Sequence, residues 1–172
     1  MSKITKIDST KRHINSAIRL HFQEFDPIIV HTLGSTAFRV LRDLSEKRGD
    51  ISKNIYENIS DYTRKKIFNI FNQDINFFKH ADKDPDGVLE DFNPLVNDNL
   101  LGICCLHFGD LGYNLTNEMK AFMHWYPLID PNCPEIYPNQ KQLKEKLKLY
   151  KQKRRKQLSI GAELIQKFKH SW

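Results

Sequence analysis

The segment Asn76-Phe77-Phe78-Lys79-His80-Ala81-Asp82-Lys83-Asp84-Pro85-Asp86-Gly87 crowds one imidazole, two ammonium groups and three carboxylates into twelve residues. Groups of these types side by side can hold a metal, bind an anion or exchange protons. A second imidazole, His31, belongs with them by the argument below. His31, Asn76, Lys79, His80, Asp82 and Asp84 are therefore the candidate ligand-binding residues. No catalytic group, metal or cofactor can be named from these residue types alone.

The elements around this segment decide what it can reach. Asp26-Pro27 reads as an N-cap followed by proline at the first helical position. It opens a second helix that runs to about Arg48, with Val30, Leu33, Ala37, Val40, Leu41 and Leu44 as its apolar stripe. Ser60 or Asp61 opens a third helix that runs through His80, with Ile67, Phe68, Phe71, Ile75 and Phe78 on one face. Folded back as an antiparallel pair about residue 55, these helices place His31 and His80 at the same end. The helix dipoles keep an imidazole near an N-terminus neutral and help one near a C-terminus hold its proton.

Blander readings account for the same residues. Lys79 and His80 suit the last turn of any helix, and Asp-Pro-Asp-Gly suits any tight turn. Asp82, Asp84, Asp86, Gly87 and Leu89 also match the opening of a calcium-binding EF-hand loop. The match fails at the twelfth place, where Asn93 stands instead of a bidentate Glu.

Ser9 reads as the cap of a first helix carrying Ile14, Ala17, Ile18, Phe22 and Phe25, with His21 on the same stripe. Asn93-Pro94 opens a fourth, very apolar helix to about Phe108. Thr116 caps a fifth, with Met119, Phe122, Met123 and Tyr126 inward, and Asp130-Pro131 ends it. Residues 131–138 read as a loop. Asn139 starts a lysine-rich helix with Leu143, Leu147 and Tyr150 as a narrow stripe, and Ser159 caps a short last helix. No alternating strand pattern occurs. The predicted fold is an all-α, single-domain helical bundle of about five to seven helices, with a core over 1–138 and a basic helical extension over 139–172.

Composition agrees with a folded chain: 172 residues, 40% hydrophobic and 11% aromatic. The charge is uneven. Residues 139–172 hold 11 Lys and Arg against two Glu, a net of +9, whereas residues 1–138 hold 16 against 19, a net of −3. Lys151, Lys153, Arg154, Arg155 and Lys156 are the densest basic run and the candidate contact for nucleic acid or an acidic membrane surface. A solvated helix face, docked through Leu143, Leu147 and Tyr150, explains the same run. No membrane span is expected, because the longest apolar run, from Leu100 to Leu106, is far shorter than the roughly 18 residues required. No secretory leader is visible in residues 1–11, and the adjacent Cys104 and Cys105 read as reduced core residues, so a cytoplasmic protein is expected.

Small all-α HEPN-type ribonucleases pair an Arg with a His four to six residues on, and no His here has that partner. Paired Glu-x-x-His motifs of di-iron bundles, a P-loop, a dinucleotide fingerprint and Gly-x-Ser-x-Gly are also absent.

Asp26-Pro27, His31-Thr32-Leu33, Leu41-Arg42-Asp43-Leu44, Asn76-Phe77-Phe78-Lys79-His80-Ala81-Asp82 and Asp84-Pro85 together resemble a group of small uncharacterised bacterial proteins. The resemblance covers about residues 14–95 and implies a bacterial, cytoplasmic, helical protein with no assigned activity. It centres on His31 and the 76–84 segment.

The expected function is a helical binding or interaction protein with a polar His/Lys/Asp pocket between helices two and three, taking a small polar ligand or a protein. A divergent HEPN-like ribonuclease or a metal-dependent hydrolase using His31 and His80 is the enzymatic alternative. Nucleic-acid binding through the basic C-terminal helix is the third. A homodimer is compatible with each.

Overall fold

The computed structural model describes residues 3–48, 69, 71, 75–78, 85–130 and 139–170. Among them the chain is all-α, with no strand. The helices are α1 (Lys6–Phe22), α2 (Pro27–Arg48), α3 (Val96–Asp110), α4 (Asn117–Ile129), α5 (Gln140–Leu147) and α6 (Arg154–His170), with a 3₁₀ turn at Leu149–Lys151. Residues 69, 71 and 75–78 are also helical.

Local chemistry explains the boundaries. Thr5, not Ser9, caps α1: its hydroxyl accepts from the Asp8 amide, and the Asp8 carboxylate accepts from the Thr5 amide. The helix stops at Phe22, because Glu24 adopts a left-handed conformation (φ 56°). Phe25, expected on the α1 stripe, therefore lies beyond the helix and is 52% exposed. At the start of α2 the Asp26 carboxylate accepts from the Ile28 amide at 2.8 Å, the expected cap. The Asn93-Pro94 pair makes a turn rather than a helix start, and α3 begins at Val96. Thr116 caps α4 as expected, its hydroxyl accepting from the Met119 amide.

The core is one cluster. Ile14, Ala17 and Ile18 of α1 meet Ala37, Phe38 and Leu41 of α2, Leu100, Leu101 and Cys104 of α3, and Phe122 and Trp125 of α4, all at most 1% exposed. Leu149, Leu158 and Ile165, from the 3₁₀ turn and α6, are buried in the same cluster.

The C-terminal region departs from expectation. Ser159 lies inside α6, which begins at Arg154 and runs for 17 residues. Leu143, expected to dock α5, is 45% exposed, and Leu149 takes the buried place instead. Lys148 makes this switch possible: its left-handed backbone (φ 43°, ψ 41°) ends α5 and turns Leu149 inward.

Gly161 sets the spacing between α6 and α1. A Cβ built on it would fall inside the van der Waals envelope of the Phe22 ring, and that ring is itself buried. Replacing a helical glycine by alanine normally gains ~1 kcal/mol. Here overpacking should outweigh that gain, so Gly161→Ala should lower stability by about 1–3 kcal/mol, read as a reduced midpoint in urea unfolding.

Candidate functional site

His31 sits in the second turn of α2 with no exposed surface. The Asn97 side chain settles its tautomer. Asn97 Nδ2 donates to the Pro27 carbonyl at 2.9 Å, so Asn97 Oδ1 faces the imidazole. His31 Nδ1–H donates to that oxygen at 2.9 Å. The ring lies edge-on to Phe92 and Phe78, with centroids 5.5 and 6.2 Å away. Phe78 belongs to the helical 75–78 segment, so that segment reaches the start of α2. Asn76 on the same segment is exposed. Lys79, His80, Asp82 and Asp84 lie outside the described residues.

A second polar centre lies where α1, α3 and α6 meet. Asp98, in the first turn of α3, is 7% exposed. Its Oδ1 accepts from the Arg154 guanidinium at 2.5 Å and lies 2.8 Å from His21 Nε2. Arg154 Nη2 is 3.1 Å from the same imidazole nitrogen, and the guanidinium lies over the Trp125 ring at 5.4 Å. Trp125 in turn donates from Nε1 to the Gln157 carbonyl at 2.6 Å. His21 packs against Phe22, Phe122 and Trp125. Arg154 was expected in the basic run that would contact nucleic acid. In the structure Arg154 is bound to Asp98, because a carboxylate this deep requires a cation.

Sequence reading missed this centre. His21 was legible only as a member of an apolar stripe. The available signal was Asp98 itself, a charge in the first turn of a helix that buries Leu100, Leu101, Cys104, Cys105 and Phe108.

A third polar link joins α1 to α4. Arg19 donates from Nε at 2.9 Å and from Nη2 to the Glu118 carboxylate. Burial works to raise the Glu118 carboxyl, but the Arg19 hydrogen bond, a backbone hydrogen bond and the Arg19 charge outweigh it and hold the group below its ordinary range.

Three further buried reactive side chains are quiet. Cys104 and Cys105 are fully buried, as expected, and burial pushes both thiols well up, which keeps them protonated and non-nucleophilic. His107 is 1% exposed beside Phe38, and burial pushes its imidazole down to about 4. Among the described residues no group of three His, Cys, Asp or Glu has the geometry to hold a metal, and no helix is long and apolar enough to cross a membrane.

No family model, curated protein or solved structure matches this chain. The functional reading therefore rests on the geometry alone.

Two outcomes follow from these sites. Removing the carboxylate by Asp98→Ala strands the half-buried Arg154 and leaves a hole beside His21, so stability should fall by about 3 kcal/mol. The same change in an Arg154→Ala background should cost much less, and a double-mutant cycle in urea unfolding reads that coupling. His107 supplies a pH dependence of known sign. Below its ordinary value of 6.5 the unfolded chain takes up a proton that the folded chain refuses until about pH 4. Its contribution should therefore be flat above that range and turn against the fold as pH falls through it, by on the order of 3 kcal/mol in total. His107→Leu should flatten that part of the stability–pH curve.

Proposed function

We propose that the protein is a bacterial, cytoplasmic helical binding protein whose ligand site lies at the His31 end of α2. The observation that carries this reading is the edge-on contact of His31 with Phe78 at 6.2 Å. His80 follows Phe78 by two residues in the sequence. His31, buried and of fixed tautomer, backs the segment through Phe78, and Asn76 contributes an exposed amide. Lys79, His80, Asp82 and Asp84 follow in the same stretch of chain. Such a set suits a small polar or anionic ligand, or a metal-bound one, without providing an identified nucleophile.

The test is a thermal-shift screen of wild type, His31→Ala and His80→Ala against Zn²⁺, Mn²⁺, Ca²⁺, phosphate and nucleotides. A ligand that binds the native state at 100 times its Kd should stabilise the wild type by about 2.7 kcal/mol. The His80→Ala protein, folded but unresponsive, is the expected result. A ligand that shifts wild type and both variants equally would move the site elsewhere. RNA cleavage or metal-stimulated hydrolysis lost on His80→Ala would replace this reading with the enzymatic one.

A further inference from the structure

We infer that the exposed cations from Lys148 to Lys156 form a rigid, sequence-independent docking surface for the phosphate backbone of a double-stranded nucleic acid. This inference is independent of the His31 site and concerns another part of the chain.

The first observation is how the run is held. Inward-facing groups pin it: Leu149 is fully buried, and Gln157 Nε2 donates to the Leu149 carbonyl at 3.1 Å. Arg154 is bound to Asp98, and the Gln157 carbonyl accepts from Trp125. Between these anchors Lys148, Lys151, Lys153, Arg155 and Lys156 are all exposed. The cations are thus displayed by a fixed scaffold, which reduces the ordering that binding must impose.

The second observation is that little neutralises them. Among the described residues Lys148, Lys153 and Lys156 have no ion-pair partner. Lys151 lies over the Tyr150 ring at 5.7 Å. Arg155 meets Glu24 at 3.5 Å in an exposed pair, of the kind that exchanges readily with another anion.

The third observation is that Lys148, Arg155 and Lys156 work against the local backbone or the helix dipole. Lys148 occupies a left-handed position that favours glycine. Arg155 and Lys156 stand in the first turn of α6, which has no acidic residue of its own and where the helix dipole disfavours cations. Natural sequences break local rules of this kind mainly where function requires it.

The chemistry of the surface selects the partner. A membrane-bound helix inserts an apolar face, but Leu158 and Ile165 are buried in the core, and Ile160, Leu164 and Phe168 are packed against it. Single strands are held by exposed aromatic rings, and Tyr150, the only aromatic residue in the run, is half-buried beneath Lys151. What remains is charge on a rigid frame, which reads a duplex backbone without reading its bases.

The experiment is fluorescence anisotropy with labelled duplex DNA, duplex RNA and single-stranded DNA of about 24 nucleotides, from about 50 to 200 mM salt. Co-sedimentation with anionic phospholipid vesicles runs beside it. Duplex binding is expected, with log Kd rising about four-fold to five-fold as steeply as log salt, since each neutralised phosphate contributes a slope of ~0.9. The variant Lys148→Gln/Lys151→Gln/Lys153→Gln/Arg155→Gln/Lys156→Gln should keep its helical circular-dichroism spectrum, lose at least about tenfold in affinity and lose most of that slope. Lys3→Gln/Lys6→Gln/Lys11→Gln, which removes charge elsewhere, should change affinity less than about threefold. Comparison of the two duplexes assigns DNA or RNA. The inference is overturned by absence of duplex binding at the lowest salt, by tighter binding of single strands or vesicles than of either duplex, or by equal losses in the two variants.

Discussion

Two consecutive residues in the first turn of α3 hold this bundle together. Asn97 and Asp98 are both buried, and adjacent positions on a helix point about 100° apart. They therefore reach different neighbours. Asn97 ties the start of α2 through His31 and the Pro27 carbonyl, whereas Asp98 ties α1 through His21 and α6 through Arg154. An apolar interface alone tolerates sliding and rotation of one helix on another. A buried carboxylate does not, because only one arrangement gives it a cation. The helix dipole adds to this, since an acidic group is favoured near a helix N-terminus.

The consequence runs along the chain to the C-terminal region. Five of the six residues from 151 to 156 are basic, and a helix that began anywhere nearby could have sent all of them to water. Asp98 requires one of them. Once Arg154 turns inward, its neighbours Lys153, Arg155 and Lys156 are directed outward, and Gly161 two turns later lets α6 lie close against Phe22. The exposed cations Lys148, Lys151, Lys153, Arg155 and Lys156 are thus carried on the surface of the bundle. The Arg19–Glu118 pair makes an equivalent link between α1 and α4, so polar contacts set register at several helix junctions while the apolar cluster supplies the bulk of the driving force.

The helical class was legible because apolar residues recur at helical spacing and because Asp26-Pro27 and Thr116 are strong start signals. The errors have local causes. Ser9 and Thr5 are both competent caps, and only Thr5 has an acidic residue three positions on to complete the box. Ser159 resembles a cap, yet the carboxylate that fixes the start of α6 lies 56 residues upstream at Asp98. Leu143 and Leu149 are equally apolar, and the choice between them depends on a lysine adopting a left-handed turn, which residue type argues against. Of the candidate site, the approach of the 75–78 segment to His31 was inferable from hairpin geometry. The partner Asn97 was not, because nothing in a sequence links residues 66 positions apart.

Burial also sorts the reactive groups by role. The two thiols are pushed up and His107 is pushed down, both by loss of water, so these three groups of the interior are held uncharged. Its charged groups are consumed by one another at Asp98–Arg154 and Arg19–Glu118. A group already bound to an internal partner has little interaction energy left for a ligand, and breaking the pair to free it costs more than a new contact returns. Binding is then most economically placed where the fold presents polar groups at its rim or surface. The exposed Asn76 beside Phe78 is one such place, and the exposed cations between Lys148 and Lys156 are the other. The buried polar contacts matter to both because they hold α2 and α6 in the positions from which those residues are presented.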